Sequence, residues 1–378
     1  MLTVLLTASV SFVITFLAIP AIIRLAEQKK LYDLPDARKL HTKPIASLGG
    51  VGIYIGFSLA CLLLISARTN PEFQYFFAAA SVIFFLGIKD DIIILSATKK
   101  LIGQVAAAAI LIHMADIRIT SMHGLFGITE LPQAFSLALS YITFIVIINA
   151  FNLIDGVDGL AGTLGLLTMC VFGAYFYMVG MAAYSILSFA MGGSLVAFLI
   201  FNYNPAKIFM GDSGSLLLGL VNSILVITFI RVADTPVVTY PVESSVAVGF
   251  SILMVPLADT LRVFSIRIFH GRSPFSPDRN HFHHMLLDRG MNHKYVTFCC
   301  LLLNMLFISV AYFGRSLGPT YAMLAILAVA LGVLGLIMYA KKPAQESDQA
   351  LQPNADHALQ TSITKVVPFN TEAAIAEN

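Results

Sequence analysis

"AFSLALSYITFIVIINAFNLIDGVDGLAGTLGLLTMCVFGAYFYM", residues 134–178, sets two apolar runs on either side of a short polar break. The runs 134–151 and 160–178 approach the ~20 apolar residues that carry a helix across a bilayer. Between them lie Asn152, Asp155 and Asp158, the two aspartates each followed by glycine. An Asp-Gly pair is ordinarily a turn signal. A hairpin here, however, would leave strand backbone groups unpaired in hydrocarbon. A helical turn would instead put Asn152, Asp155 and Asp158, three residues apart, on one face. Two carboxylates and an amide at that spacing repel one another unless a cation or a substrate donor sits among them.

The same alternation runs through the chain. Of its 378 residues 58% are apolar and only 12% charged, with a mean hydropathy of +0.84, far from the soluble globular range. Apolar windows fall near 3–23, 47–66, 73–88, 100–114, 134–151, 160–178, 183–201, 214–230, 245–261, 295–313 and 320–340, the two at 73–88 and 100–114 being short enough to extend into their flanks. A soluble helical protein would show shorter runs interrupted by charged faces. The expected fold is therefore all-α: a polytopic membrane bundle of about eleven transmembrane helices over residues 1–342, followed by a polar, disordered tail over 343–378. The first window opens at Leu2 without a preceding basic residue or a small-residue cleavage site, which predicts a retained anchor. The four cysteines, Cys61, Cys170, Cys299 and Cys300, all lie in apolar runs and form neither a disulfide framework nor a metal spacing.

Eleven crossings put the termini on opposite sides. Nineteen of the 23 lysines and arginines fall in the tail or in loops after odd-numbered windows, leaving Arg68, Arg118, Arg231 and Arg315 for the other side. The positive-inside rule then predicts an external N-terminus and a cytoplasmic C-terminus. Every chemically suggestive cluster falls on the basic side: "RKLHTKPIASLGG" (38–50), "GIKDDIIILSATKK" (87–100), the break at 149–163, "FNYNPAKIFMGDSGS" (201–215) and "RSPFSPDRNHFHH" (272–284). One composite site at the membrane surface is expected.

Asp90 and Asp91 are adjacent acids that could simply be solvated. Asp212, before the window at 214, is equally consistent with a helix N-cap, and a helix start there would also favour bound phosphate. His281, His283 and His284 lie too close together for usual structural zinc spacing. Beside Arg272 and Arg279 they read better as donors to an anion. Carboxylates and cations facing one surface suit Mg²⁺, which bridges one or two carboxylates to substrate phosphates. They also suit phosphoryl transfer, which relies on positioning and charge neutralisation.

The segments "GIKDDIIILSATKKLIGQ", "NAFNLIDGVDGLAGT", "FNYNPAKIFMGDSGSLLLG" and "SPFSPDRNHFHH", in that order, resemble the polyprenyl-phosphate N-acetylhexosamine-1-phosphate transferase family. The likeness covers about residues 30–295 and favours the bacterial branch that acts on undecaprenyl phosphate with UDP-GlcNAc. It implies transfer of HexNAc-1-phosphate from a UDP-HexNAc with loss of UMP, supported by Mg²⁺ or, as a second ion, Mn²⁺. By resemblance Asp212 is the metal ligand, with Asn152 near the metal and the pyrophosphate. Asp90 and Asp91 organise the acceptor phosphate, and Asp155 and Asp158 order the catalytic loop. Lys100, Asn204, Arg279, His281, His283 and His284 hold substrate. Phe282 stands in the histidine motif where an aliphatic residue is common, and is expected to pack at the membrane surface. The resemblance also implies the bacterial inner membrane, a cytoplasm-facing site, a homodimer as a candidate assembly and no nucleic-acid partner.

Two other classes fit a polytopic chain. A secondary transporter would place ionisable groups and broken helices near the bilayer midplane, whereas the acids here gather at one face. A module that binds or flips lipid-linked sugars would bind polyprenyl phosphates without releasing UMP. Within the enzyme class, UDP-GalNAc, UDP-FucNAc or UDP-QuiNAc are alternative donors, because selectivity rests on pocket shape.

Overall fold

The computed structural model describes residues 1–29, 32–33, 45–236, 238–271 and 281–339. The expected tail and the candidates Arg272 and Arg279 lie outside the described residues. Thirteen helices follow in chain order among the described residues. They are α1 (Leu2–Lys29), α2 (Gly49–Leu64), α3 (Phe73–Ile92), α4 (Ala97–Met114), α5 (Gln133–Ile154), α6 (Leu160–Met178) and α7 (Ala182–Asn202). After these come α8 (Gly211–Ala233), α9 (Ser245–Ile252), α10 (Met254–Phe269), α11 (Phe282–Leu287), α12 (His293–Phe313) and α13 (Pro319–Tyr339). Two small antiparallel pairs, β1 (Tyr32–Asp33) with β2 (Ile45–Ala46) and β3 (Ser121–Leu125) with β4 (Ile128–Glu130), complete the fold.

All eleven apolar windows fall on helices. Among the described residues seven helices are long and apolar enough to cross a membrane, eight if the bent pair α9–α10 is one span. Of the others, α2 has only 16 residues, α3 carries Lys89-Asp90-Asp91 in its last turn and α4 carries Lys99-Lys100 in its first. The fold is that of a polytopic helical membrane protein.

Helix α8 is the axis of the bundle. It packs against α2, α3, α5, α6, α7 and α9 and is buried over most of its length. Small residues allow this: a Cβ on Gly219 would lie 2.6 Å from the Ile148 Cα of α5, so only glycine permits that approach. A second close seam joins α1 to α7, where Ser11 and Thr15 meet the Ser194 hydroxyl at 2.6 and 2.9 Å. Such buried hydroxyl pairs satisfy polar groups that lipid would leave unpaired.

Window 245–261 was expected as one span, but the chain bends by 84° between α9 and α10. Pro256 explains the break, since it has no N–H for the Ile252 carbonyl. Asn304 of α12 covers the gap: its Nδ2 donates to that carbonyl at 2.8 Å, and its Oδ1 accepts the Val255 N–H at 3.0 Å. At the opposite end from the acidic loops the β3–β4 hairpin leans on α13, the Phe126 N–H donating to Thr320 Oγ1 at 2.8 Å. The sequence windows held no sign of that hairpin.

Candidate active site

Helix α8 starts where three segments converge. The chain before it pairs with the segment leading into α2: the Phe209 N–H reaches the Ala46 carbonyl at 2.8 Å, and Gly49 and Gly50 donate to the Phe209 and Met210 carbonyls at 2.9 and 2.8 Å. Gly211 has φ +71° and sits so close to Asp91 that an added Cβ would lie 2.7 Å from Asp91 Oδ1, so glycine is required. Asp212 follows in the first helical turn but does not cap its own helix. The cap comes from α3: Asp91 accepts the Asp212 N–H at 2.7 Å and the Ser213 N–H at 3.1 Å.

The Asp212 carboxylate is thereby aimed at α4 and α5. Lys100 Nζ pairs with Asp212 Oδ2 at 2.5 Å and also with Asp90. Asn152 Nδ2 donates to Asp212 Oδ1 and to Ser215 Oγ, each at 3.0 Å. Asp90 also accepts the Leu95 N–H at 2.5 Å, which anchors the α3–α4 turn. Asp90, Asp91, Lys100, Asn152 and Asp212 thus form one connected network.

The polar break is neither a hairpin nor a continuous helical face. Helix α5 ends at Ile154, residues 155–159 turn, and Gly159 at φ +77° admits α6. Asn152 and Asp155 line one cavity of about 550 Å³ together with Lys100, Gln104, Asn149 and Arg267. His281, His283 and His284 line it as well, with His283 Nε2 close against Gly156. Asp155 makes no hydrogen bond among the described residues. Burial, and then the negative charges of Asp212, Asp91 and Asp158, hold its carboxyl well above the usual carboxylate range.

Asp158 faces a different set of partners. Its carboxylate accepts from Asn204 Nδ2 at 2.9 Å and the Ala206 N–H at 3.3 Å, with His293 Nδ1 3.4 Å away. Burial alone would raise its carboxyl, but the His293 and Asn204 contacts outweigh it and hold the group below the usual range. Asp158 and Asn204 therefore tie the break to the α7–α8 connection and do not line the cavity.

The histidines differ among themselves. His283 is 1% exposed, and burial pushes its imidazole down to about 3, so at neutral pH it is an uncharged ring. Its Nδ1 has no hydrogen-bond partner among the described residues. His281 is held through Nδ1 by Asp259 Oδ2 at 2.9 Å. Asp259, His293 and the amide pair of Asn149 and Gln104, joined at 2.8 Å, were not singled out in the sequence. An aspartate inside an apolar window is costly in a membrane, and that cost was the available signal for Asp259.

The oxygens of Asp155, Asn152, Asn149 and Gln104 line the cavity together with the nitrogens of Lys100, Arg267 and the three histidines. Among the described residues no three His, Cys, Asp or Glu side chains converge as a preformed ion cage. Mg²⁺ does not need one, because it keeps water and bridges one or two carboxylates to phosphates. Asp212 with Asp155, whose carboxylate has no hydrogen-bond partner among the described residues and lies in a negative field, fits such an ion.

Residues 73–230 match the family described as Glycosyl transferase family 4. The chain is 32% identical over 336 residues to a Mycobacterium leprae decaprenyl-phosphate N-acetylglucosaminephosphotransferase, covering 80% of this chain and 81% of the relative. It is 29% identical to a probable undecaprenyl-phosphate N-acetylglucosaminyl 1-phosphate transferase of Bacillus subtilis, covering 88% and 94%. A Yersinia pestis undecaprenyl-phosphate alpha-N-acetylglucosaminyl 1-phosphate transferase is 28% identical, covering 88% and 91%. With the family match lying across α3 to α8, which build the acidic network, and the relatives aligned along most of its length, the chain belongs to the polyprenyl-phosphate N-acetylhexosamine-1-phosphate transferases of glycosyl transferase family 4.

Proposed function

We propose that the protein transfers N-acetylglucosamine-1-phosphate from UDP-GlcNAc to undecaprenyl phosphate, releasing UMP, at the cytoplasmic face of a bacterial inner membrane. The observation that carries this reading is one cavity, at the end of an apolar bundle, lined by Lys100, Asn152, Asp155 and three histidines, with Asp90 and Asp212 bound to the same lysine. In the reaction a phosphate oxygen of the lipid bonds to the sugar-bearing phosphorus of the nucleotide. The bond from that phosphorus to the UMP oxygen breaks, and UMP carries away the electron pair. The product fits the first lipid-linked intermediate of a cell-surface polysaccharide such as an O-antigen, common antigen or teichoic acid linkage.

The acceptor is a phosphate monoester, already largely ionised at neutral pH, so the residues need to position it more than to deprotonate it. Lys100, oriented by Asp90 and Asp212, supplies positive charge to phosphate oxygens. Asn152 and Asp91 keep Asp212 aimed, and Asp158 with Asn204 steadies the loop that carries Asp155. The histidines line the same cavity and hydrogen-bond phosphate oxygens. Mg²⁺, or Mn²⁺ in its place, held by Asp212 and Asp155 would neutralise the pyrophosphate charge and orient it. Eleven crossings with an external N-terminus belong to the same proposal, supported by the basic bias of the odd loops.

The test uses purified full-length protein in detergent, with UMP release followed from a panel of UDP-sugars, with and without undecaprenyl phosphate and EDTA. UMP formed from UDP-GlcNAc only with lipid and divalent metal is the expected result. UMP formed from another UDP-HexNAc alone overturns the donor assignment. Folded protein that releases no UMP from any donor overturns the reaction.

A further inference from the structure

Asp259 sits on α10, 4% exposed, where an unpaired carboxylate is strongly disfavoured. Its two oxygens have separate duties. Oδ2 meets His281 Nδ1 at 2.9 Å, while Oδ1 accepts the Phe282 N–H at 2.7 Å and lies 3.4 Å from Arg262 Nη2. One carboxylate therefore holds both the His281 ring and the first backbone donor of α11, whose N-cap residue is His281 itself. His281 is also 4% exposed and lines the cavity. With Nδ1 committed to Asp259, its remaining polar atom is Nε2, which makes no hydrogen bond among the described residues.

A carboxylate on one ring nitrogen fixes an imidazole's orientation and tautomer. Resting on the transferase reading above, we propose that Asp259 is a positioning residue that acts through His281, presenting Nε2 to the cavity as the ring atom that hydrogen-bonds a substrate phosphate oxygen. The break between α9 and α10 is part of the device, because the direction of α10 brings Asp259 under the histidine motif. The phosphate can belong to the sugar nucleotide or to the lipid, and kinetics separate the two.

The experiment measures kcat, and KM for each substrate in turn, in Asp259→Asn, His281→Ala and the double variant of the full-length protein. Asparagine keeps an acceptor for the Phe282 N–H but removes the charge. The expected loss for Asp259→Asn is about 10- to 100-fold in kcat/KM, the range for partners that orient a working histidine. In the His281→Ala background the same change should cost less than about threefold, because residues that act through one another are not additive. A rise in KM for UDP-GlcNAc alone assigns the phosphate to the nucleotide, and a rise for undecaprenyl phosphate alone assigns it to the lipid. Equal losses in both backgrounds would overturn the proposal. Asp259→Glu, which retains the charge, should recover part of the activity if Asp259→Asn folds poorly. Imidazole ¹⁵N spectra give a readout independent of turnover: a protonated, hydrogen-bonded His281 Nδ1 lost in Asp259→Asn is expected, and an unchanged signal would overturn the proposal even if the transferase reading itself failed.

Discussion

Asp91, at the end of α3, caps α8 from outside: its two oxygens take the backbone N–H groups of Asp212 and Ser213 at 2.7 and 3.1 Å. A carboxylate there complements the positive end of the helix and satisfies donors that the helix cannot. Asp91 is thus placed to hold Asp212, while Asp90, its neighbour in sequence, faces Lys100. Asp91→Ala should cost about 1 kcal/mol, the usual scale for a lost cap, and depress turnover with it. Asp91→Asn retains an acceptor and should keep more of both. Asp90→Asn should reduce turnover strongly with a much smaller change in melting. Thermal unfolding in detergent alongside UMP release separates these outcomes, and equal melting losses for the Asp90 and Asp91 variants would refute the division of roles.

Gly87 tests the packing behind that cap. A Cβ there would lie 2.5 Å from the Ser213 nitrogen and 2.7 Å from the Asp212 carbonyl carbon, both backbone atoms that cannot rotate away. Gly87→Ala should push α3 from α8, with an overpacking cost of about 1–3 kcal/mol and disturbance of Asp212. Gly332→Ala on α13, where nothing lies within 4 Å, is the matched control and should leave melting and activity unchanged. Wild-type behaviour of Gly87→Ala would mean that the α3–α8 seam is looser than its geometry.

Much of this arrangement was legible from apolar windows and from which loops carried the basic residues, since those loops bring their polar clusters to one end of the bundle. The separation of partners was not. Adjacent residues on a helix point about 100° apart, so "KDD" cannot reveal that Asp90 meets a lysine and Asp91 a helix terminus. Spacing likewise suggested that Asp155 and Asp158 share a face, but the turn at 155–159 sends Asp155 to the cavity and Asp158 to Asn204 and the Ala206 N–H. Asp259 became visible only when the bent α10 met a histidine segment some twenty residues further on.

Asp155 carries charge that the metal-free protein does not want. It makes no hydrogen bond among the described residues, and Asp212, Asp91 and Asp158 all repel its ionised form. Its raised pKa means that the folded state binds this proton more tightly than the unfolded chain, so its stabilising contribution is lost as pH rises through the folded value. Asp155→Asn should therefore raise the melting temperature in EDTA at neutral pH while abolishing turnover. It should also shrink the melting shift that Mg²⁺ gives the wild type, because stabilisation by a ligand follows its affinity for the folded state. A variant that melts lower in EDTA, or keeps the full Mg²⁺ shift, would remove Asp155 from the cation site.

His283 predicts an acid limb of stability. Burial lowers its imidazole from the ordinary 6.5 to about 3, so below pH ~6.5 the unfolded chain takes up a proton that the folded protein refuses. Stability should fall as pH drops from that value toward 3. His283→Gln removes this titration, so the difference in melting between pH 7.5 and pH 5 should be smaller in the variant than in the wild type. Parallel melting curves across that range would mean that the ring is protonated within the folded protein.

Asn304 is the test of the bent helix. Pro256 leaves the Ile252 carbonyl without its helical donor, and the 84° bend leaves the Val255 N–H without its acceptor. The Asn304 amide serves both, as donor at 2.8 Å and acceptor at 3.0 Å, from a position that is 1% exposed. Asn304→Leu keeps the volume and removes both partners, so two buried backbone groups would each carry a penalty of about 1–3 kcal/mol. The variant should melt well below the wild type. Because α10 carries Asp259, it should also lose turnover under conditions where it remains folded. Asn304→Asp keeps the acceptor but loses the donor to the Ile252 carbonyl, and should fall between the two. An unchanged melting curve for Asn304→Leu would show that water reaches the break, and α10 would then owe its direction to its packing against α5 and α12 instead.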